Sequence, residues 1–366
     1  MAKDKKNQKS TTIDSSGDRL SIIKSMAKRL EMSTLDDPDE VGIVKTFISS
    51  GSTLLDLALG GKGWACGRVV NIIGDESSGK SLLVGEALAY TQRCTDGLCA
   101  LDEGEATFDP VRARNLGVKP EEVIRPNSRT VEDWYNNVTG FVEAVKTVQE
   151  EQSNPELPCI YALDSLDSLC SDAELEREID ESSYGGEKAK KLSEFFRKLT
   201  KPMGEANLLL MVVSQTRDKI GVTFGEKQTV SGGKALKFYC SQRVKLSEIG
   251  KITTESGGDK RVIGVKVRAK VIKNKVGDPF LEVEFPILFT HGIDDMGSCI
   301  AWLRDKTKAL GTSSGWYEWE GKKFREADFI SFIESNNLEE EIRIMVRTAW
   351  AEWVESTKIV RKPKYA

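Results

Sequence analysis

The apolar residues of this chain fall into short β-branched runs separated by stretches with helical spacing. Val69-Val70-Asn71-Ile72-Ile73, Leu98 to Leu101, Cys159 to Leu163 and Leu208 to Val213 each read as a strand buried on both faces. Leu82, Leu83, Val84, Ala87 and Leu88 open a helix behind the first run. Phe141, Val145 and Val148 mark a second helix, and Leu192, Phe195, Phe196 and Leu199 a third. Buried strands alternating with covering helices predict an α/β fold whose central sheet is mostly parallel and flanked by helices. The pattern then changes. From Val262 to Val271, the apolar Val265, Val267, Ala269 and Val271 share one face and Lys266, Arg268 and Lys270 the other, as in a half-exposed antiparallel strand.

Both ends depart from this pattern. Residues 1–17 are polar and charged and read as disordered. Leu20, Ile23, Met26, Ala27 and Leu30 then recur at helical spacing over residues 18–31, and Ser33 to Glu40 reads as a linker. The N-terminal segment, 1–40, is thus a tail, an amphipathic helix and a tether. That helix docks either away from its own core or back onto it. The core spans 41–293. Residues 294–366 are expected to form a separate small C-terminal α+β domain, which holds five of the seven tryptophans. A hairpin is expected from Gly315 to Lys323, and Ile342, Met345, Val346, Ala349, Trp350 and Trp353 give a helical stripe.

At 366 residues there is room for one large domain with appendages. The net charge of −4 excludes a generally basic nucleic-acid coat, so any polyanion must meet local positive stripes. No apolar stretch approaches the roughly 18 residues of a membrane span. Lysine-rich Met1 to Ser10 lacks the apolar segment of a secretory signal. The seven cysteines form no C-x-x-C, and several, such as Cys99 and Cys159, lie in apolar runs and read as small core residues of a reducing, cytoplasmic setting. With one histidine, His291, histidine-cluster metal sites and Ser-His-Asp catalysis are not expected. The chemistry falls to carboxylates, lysines, amides and a bound metal–nucleotide.

Gly74-Asp75-Glu76-Ser77-Ser78-Gly79-Lys80-Ser81 matches the phosphate-cradling loop G-x-x-x-x-G-K-[ST] between a strand and a helix, the context the motif requires. Backbone N–H groups of Ser77 to Ser81 would wrap a phosphate at the helix N-terminus. Lys80 would reach the β- and γ-phosphates, and the Ser81 hydroxyl would ligate Mg²⁺. Tyr161-Ala162-Leu163-Asp164 ends a strand with an acid that would hold the same ion through water. Leu98 to Leu101 runs into Asp102-Glu103-Gly104-Glu105, and one of these acids could polarise the attacking water, since parallel strands end at the ligand crevice. A third strand ends in Ser214-Gln215-Thr216-Arg217, where a glutamine can hydrogen-bond a γ-phosphate or its water. The polar, glycine-rich stretch behind it reads as a mobile loop. Arg217, Lys219, Lys227 and Lys234 with Phe224 suit single-stranded nucleic acid.

At the level of whole motifs, residues 45 to 293 resemble the bacterial RecA-type recombinases, including those encoded by phages. Gly232-Gly233-Lys234-Ala235-Leu236-Lys237-Phe238-Tyr239, completed by Arg243, is close to the family signature A-L-K-F-[FY]-x-x-x-R. Asp218 to Val222 and Val271-Ile272-Lys273-Asn274-Lys275 also follow the family order, as do Ser49 to Gly67 and Asp109-Pro110 with Ala113-Arg114. The resemblance implies a RecA-like core and ATP with Mg²⁺ as cofactors. It implies Glu105 as the water-activating acid and Gln215 as the γ-phosphate sensor at the root of a DNA loop from Thr216 to Val230. A first DNA loop would lie near Arg177 to Gly186, with Lys190 just after it. Lys190, Arg217, Lys219, Gly232 and Gly233 are the implied DNA-binding positions. Lys273 and Lys275 would reach a neighbouring subunit's nucleotide, and Phe238 would sit in that interface. Asp109 and Arg112 would flank the nucleotide, Arg112 standing where the family usually stacks a tyrosine on adenine. The N-terminal helix resembles the family's polymerisation arm, and the basic Lys358 to Tyr365 lacks the usual acidic tail.

The implied function is a DNA-dependent ATPase that forms a helical filament on single-stranded DNA. It would pair that strand with homologous duplex and exchange strands in recombination and repair. A hexameric helicase or a RadA-like branch-migration ATPase is the alternative, disfavoured by the Leu236-Lys237-Phe238-Tyr239 signature and by the lack of a zinc-ribbon cysteine quartet.

Overall fold

In a computed structural model of the chain, ten strands among the described residues make one sheet. The structure describes residues 19–34, 43–105, 109–177, 186–218, 228–230, 233–307, 309–310, 315–362 and 364. Across the sheet the order is Gly292–Ile293, Glu282–Leu288, Asp259–Asn274, Gln242–Ser256, Val69–Gly74, Leu208–Asp218, Cys159–Asp164, Leu98–Glu103 and Val123–Ile124. Gln228–Val230 pairs antiparallel with the far end of Leu208–Asp218. From Gln242–Ser256 to Val123–Ile124 neighbouring strands are parallel. The three on the other flank are antiparallel.

Burial explains why the central strands read as unbroken apolar runs. All six residues of Val69–Gly74 are buried, with Val70 and Ile72 in the apolar cluster on one face and Val69 in that on the other. Helix Lys80–Cys94 covers the first face through Leu83, Val84, Ala87 and Leu88. Helices Val131–Glu151 and Glu187–Glu205 cover the second, where the Trp134 and Phe195 rings stack at 4.0 Å. The one polar residue in the central strand is fully partnered. Asn71 Nδ2 donates to Val212 O and Ser214 Oγ, both at 3.0 Å, and its Oδ1 accepts from Arg243 Nε at 3.0 Å. The signature arginine is therefore a bridge inside the sheet. On the antiparallel flank Val265, Val267, Ala269 and Val271 are buried, while Lys266, Arg268 and Lys270 pair outside with Glu282 and Glu284.

The chain divides into two compact units, 1–43 and 44–366. In the first, Arg19–Arg29 is a helix with Leu20, Ile23 and Met26 exposed along it. In the second, the residues after 294 form helices Asp295–Lys306, Glu326–Ser335 and Glu339–Thr357 and the hairpin Tyr317–Trp319 with Lys322–Phe324. Their buried Ile300, Leu303, Phe329, Val346 and Trp350 share an apolar cluster with Leu54, Val84 and Ile287. Asp295 reinforces this contact, accepting from Thr53 N at 2.7 Å and Arg343 Nε at 3.1 Å. The expected stripe on the last helix is incomplete: Trp350 is buried, but Trp353 is 42% exposed. No helix among the described residues is long and apolar enough to cross a membrane.

Candidate nucleotide site at the strand ends

Val69–Gly74 runs directly into the phosphate loop, and the loop's shape depends on glycine at two points. A Cβ on Gly74 would fall 2.6 Å from Ser78 Oγ and 2.7 Å from Leu246 O. Gly79 has φ +93°, and a Cβ there would meet Ile287 Cδ1 at 2.5 Å. Gly79 caps helix Lys80–Cys94 without a side-chain hydrogen bond, so the first-turn N–H groups are left for an anion. Ser78 Oγ donates to Asp75 O at 2.8 Å and Lys80 Nζ to the same oxygen at 2.6 Å. Burial pushes the Lys80 ammonium down, opposed by the charges of Asp164, Asp75, Asp167 and Glu105. Asp75, Glu76 and Ser77 are exposed on the loop.

Three strands deliver acids and amides beside this loop. Burial raises the Asp164 carboxyl, a hydrogen bond from Ser81 lowers it, and the nearby Glu105 charge raises it again. A cation shared by Ser81 and Asp164 would relieve that cost. Among the described residues no group of three or more His, Cys, Asp or Glu could hold a metal alone. The donor set therefore suits Mg²⁺ that brings phosphate oxygens and water with it.

The three candidate acids after Leu101 separate by environment. Asp102 is buried and accepts from Tyr161 OH at 2.7 Å, from Ser128 N at 3.0 Å and from the Ser128 hydroxyl. Glu103 pairs with Arg125 at 3.3 Å. Glu105 faces the loop, accepting from Ser165 Oγ at 2.8 Å, with Gln215 Nε2 at 3.4 Å. Gln215 N donates to Asp167 Oδ2 at 2.8 Å, and the Thr216 hydroxyl donates to Asp75 Oδ1.

Ser165 and Asp167 were not among the expected site residues. Their signal was a second acid three positions after Asp164, in the short turn Leu166–Ser168.

Other expected residues lie apart. Asp109 caps helix Pro110–Asn115 by accepting from Val111 N at 2.8 Å, and the exposed Arg112 pairs with it at 4.0 Å. Gly74 lies opposite Leu246, whereas Lys273 lies opposite Arg243, which faces Asn71. Lys273 is thus three residues down and two strands across, roughly 14 Å from the chain's own loop. Its Nζ turns to Lys237 O at 2.8 Å and Phe238 O at 2.9 Å, capping helix Gly233–Tyr239. Lys275 follows on that edge, its N–H on Ser241 O, and Phe238 is 70% exposed there. Lys190 is exposed in the first turn of Glu187–Glu205.

The DNA loop expected to start at Thr216 begins instead as a hairpin stem, with Thr216 opposite Val230 and Arg217 opposite Thr229. Lys219, Phe224, Lys227 and Gly232 lie outside the described residues, as does most of the first expected loop.

A family model for the RecA N-terminal domain matches residues 20–294. It spans the phosphate loop, the strand-end acids and the Lys273 edge. With most of its length matched in this way, the chain belongs to the RecA family of recombinase ATPases.

Proposed function

We propose that this protein hydrolyses ATP while assembled as a helical filament on single-stranded DNA, and that the filament pairs and exchanges that strand with homologous duplex. The observation that carries this reading is Gln215. One side of it approaches Glu105 beside the phosphate loop, and the next residue opens the stem of the hairpin expected to touch DNA. A γ-phosphate that attracts the Gln215 amide would move that stem, giving an ordering switch.

In this reading Lys80 and the loop N–H groups hold the phosphates, and Glu105 takes the proton from the attacking water. Mg²⁺ held by Ser81 and Asp164 would supply charge stabilisation on the phosphate oxygens. Arg112, exposed on its helix, serves as a plane on which the base stacks. Lys273 and Lys275, remote from their own loop, serve a neighbour's nucleotide. Each well-bonded contact across that seam is worth about 1.5–3 kcal/mol. Sequence matching is left to base pairing, so protein contacts fall on phosphates and stacked bases. Arg217, Lys219, Gly232, Gly233 and Lys190 are the proposed strand contacts.

Electron microscopy with single-stranded DNA and a slowly hydrolysed ATP analogue tests the reading. Open helical threads are expected. Closed six-membered rings would favour a hexameric motor instead.

A further inference from the structure

The position after the first glycine of the phosphate loop is open to any residue type in the motif, and here it is an aspartate. Asp75 turns its carboxylate to the strand end that carries Gln215. Thr216 Oγ1 donates to Asp75 Oδ1, so the loop is tied to the residue directly after the glutamine. The carbonyl of the same aspartate accepts from Lys80 Nζ at 2.6 Å and from Ser78 Oγ at 2.8 Å. Thr216 is also the first residue of the hairpin stem, opposite Val230. One residue thus joins the phosphate-binding lysine to the base of the hairpin.

A carboxylate here stands against the charge the loop is built to hold. Phosphate in the loop would draw Lys80 away from the Asp75 carbonyl. It would also place negative charge beside Oδ1 and Oδ2, and these like charges repel. Both effects displace Asp75 from the arrangement in which it accepts from Thr216.

We propose that the Asp75–Thr216 hydrogen bond is a latch that ties the hairpin base to the phosphate loop, and that triphosphate binding releases it. This rests on the recombinase reading above and deepens it, naming a second path from phosphate to hairpin beside Gln215. Asp75 and Thr216 are positioning residues: they act through Lys80 and the hairpin. With the latch broken, the base of the hairpin is released from the phosphate loop without waiting for nucleotide.

The test compares full-length wild type with Thr216→Val, Thr216→Ser, Asp75→Asn and the Thr216→Val/Asp75→Asn double variant. ATP turnover is measured with and without a single-stranded oligothymidylate. Binding of the fluorescently labelled oligonucleotide without nucleotide is read by anisotropy. Thr216→Val is expected to tighten that binding about 3- to 10-fold, the worth of one hydrogen bond to a charged group at a partly exposed site. It should cut the DNA stimulation of turnover by a similar factor. Thr216→Ser keeps the donor and should match wild type. Asp75→Asn keeps an acceptor without the charge, so it should weaken the latch less than Thr216→Val does and also lower KM for ATP, and the double variant should add nothing to the Thr216→Val effect on oligonucleotide binding. If wild-type turnover is DNA-stimulated and Thr216→Val keeps the same ratio and affinity, the latch is wrong and the recombinase reading stands. Additive single effects would also overturn it. Wild-type turnover indifferent to the oligonucleotide would overturn both.

Discussion

Gln215 Nε2 lies 3.4 Å from Glu105 Oε1, although the strands they follow are separated in the sheet by Cys159–Asp164. Ser165, at the end of that intervening strand, donates to the same Glu105 oxygen at 2.8 Å. Three strand ends therefore converge on one carboxylate beside the phosphate loop. This convergence supports the proposal that Glu105, rather than Asp102 or Glu103, acts on water.

Glu105→Gln keeps the shape and removes the base. Turnover should fall by about 10²- to 10⁴-fold, as for the loss of a general base, while ATP binding and DNA coating persist. Phosphate release and nucleotide binding measured on the same preparation check this. Turnover equal to wild type would move the role to Glu103 or elsewhere.

Lys80→Ala removes the loop's cation from among four surrounding carboxylates. Hydrolysis should drop by about 10²-fold or more, in line with the loss of a preorganised transition-state donor. Steady-state phosphate release is the measurement, and undiminished release would take Lys80 out of the mechanism.

Away from the site, Glu86 makes stability depend on pH. Its carboxyl accepts from Ile293 N at 3.2 Å, yet burial pushes its pKa from 4.5 to about 7. The folded protein therefore holds a proton that the unfolded chain has lost between these values, so Glu86 makes stability fall as pH rises from 4.5 to about 7. Glu86→Gln, which mimics the protonated acid, should be more stable than wild type at pH 8 by about 1–3 kcal/mol. The gain should shrink as pH falls toward 5. Urea midpoints at the two pH values check this; a gain independent of pH would contradict it.

Deleting residues 1–32 removes the helix Arg19–Arg29 and its exposed Leu20, Ile23 and Met26. If these side chains are buried on another copy, assembly should require about 10- to 100-fold more protein, given the worth of burying even one of them. Light scattering on single-stranded DNA reads this directly. Unchanged assembly would exclude the arm from polymerisation.

Much of the architecture was legible because the signals were local. The runs at Val69, Leu98, Cys159 and Leu208 are strands buried on both faces, and the alternation from Val265 to Val271 is a half-exposed antiparallel strand. The phosphate loop was legible because its glycines satisfy steric demands within eight residues. The choice among Asp102, Glu103 and Glu105 was not legible from the residues alone. It depends on Tyr161 and Ser128 claiming Asp102, and on Arg125 claiming Glu103, across other strands. Asp167 was missed for the same reason: Gln215, whose N–H donates to it, comes from a distant segment. Thr216 to Asp218 read as loop because its glycine-rich surroundings masked the pairing with Gln228–Val230.

The central claim is that one copy's phosphate loop is completed by Lys273 and Lys275 of the next. Mixing Lys80→Ala protein with Lys273→Ala/Lys275→Ala protein on single-stranded DNA tests it most directly, because mixed neighbours rebuild one intact seam from two defective partners. ATP turnover in the mixture is predicted to rise well above the sum of the two separate preparations. A mixture that co-assembles yet turns over no faster than that sum would contradict the account.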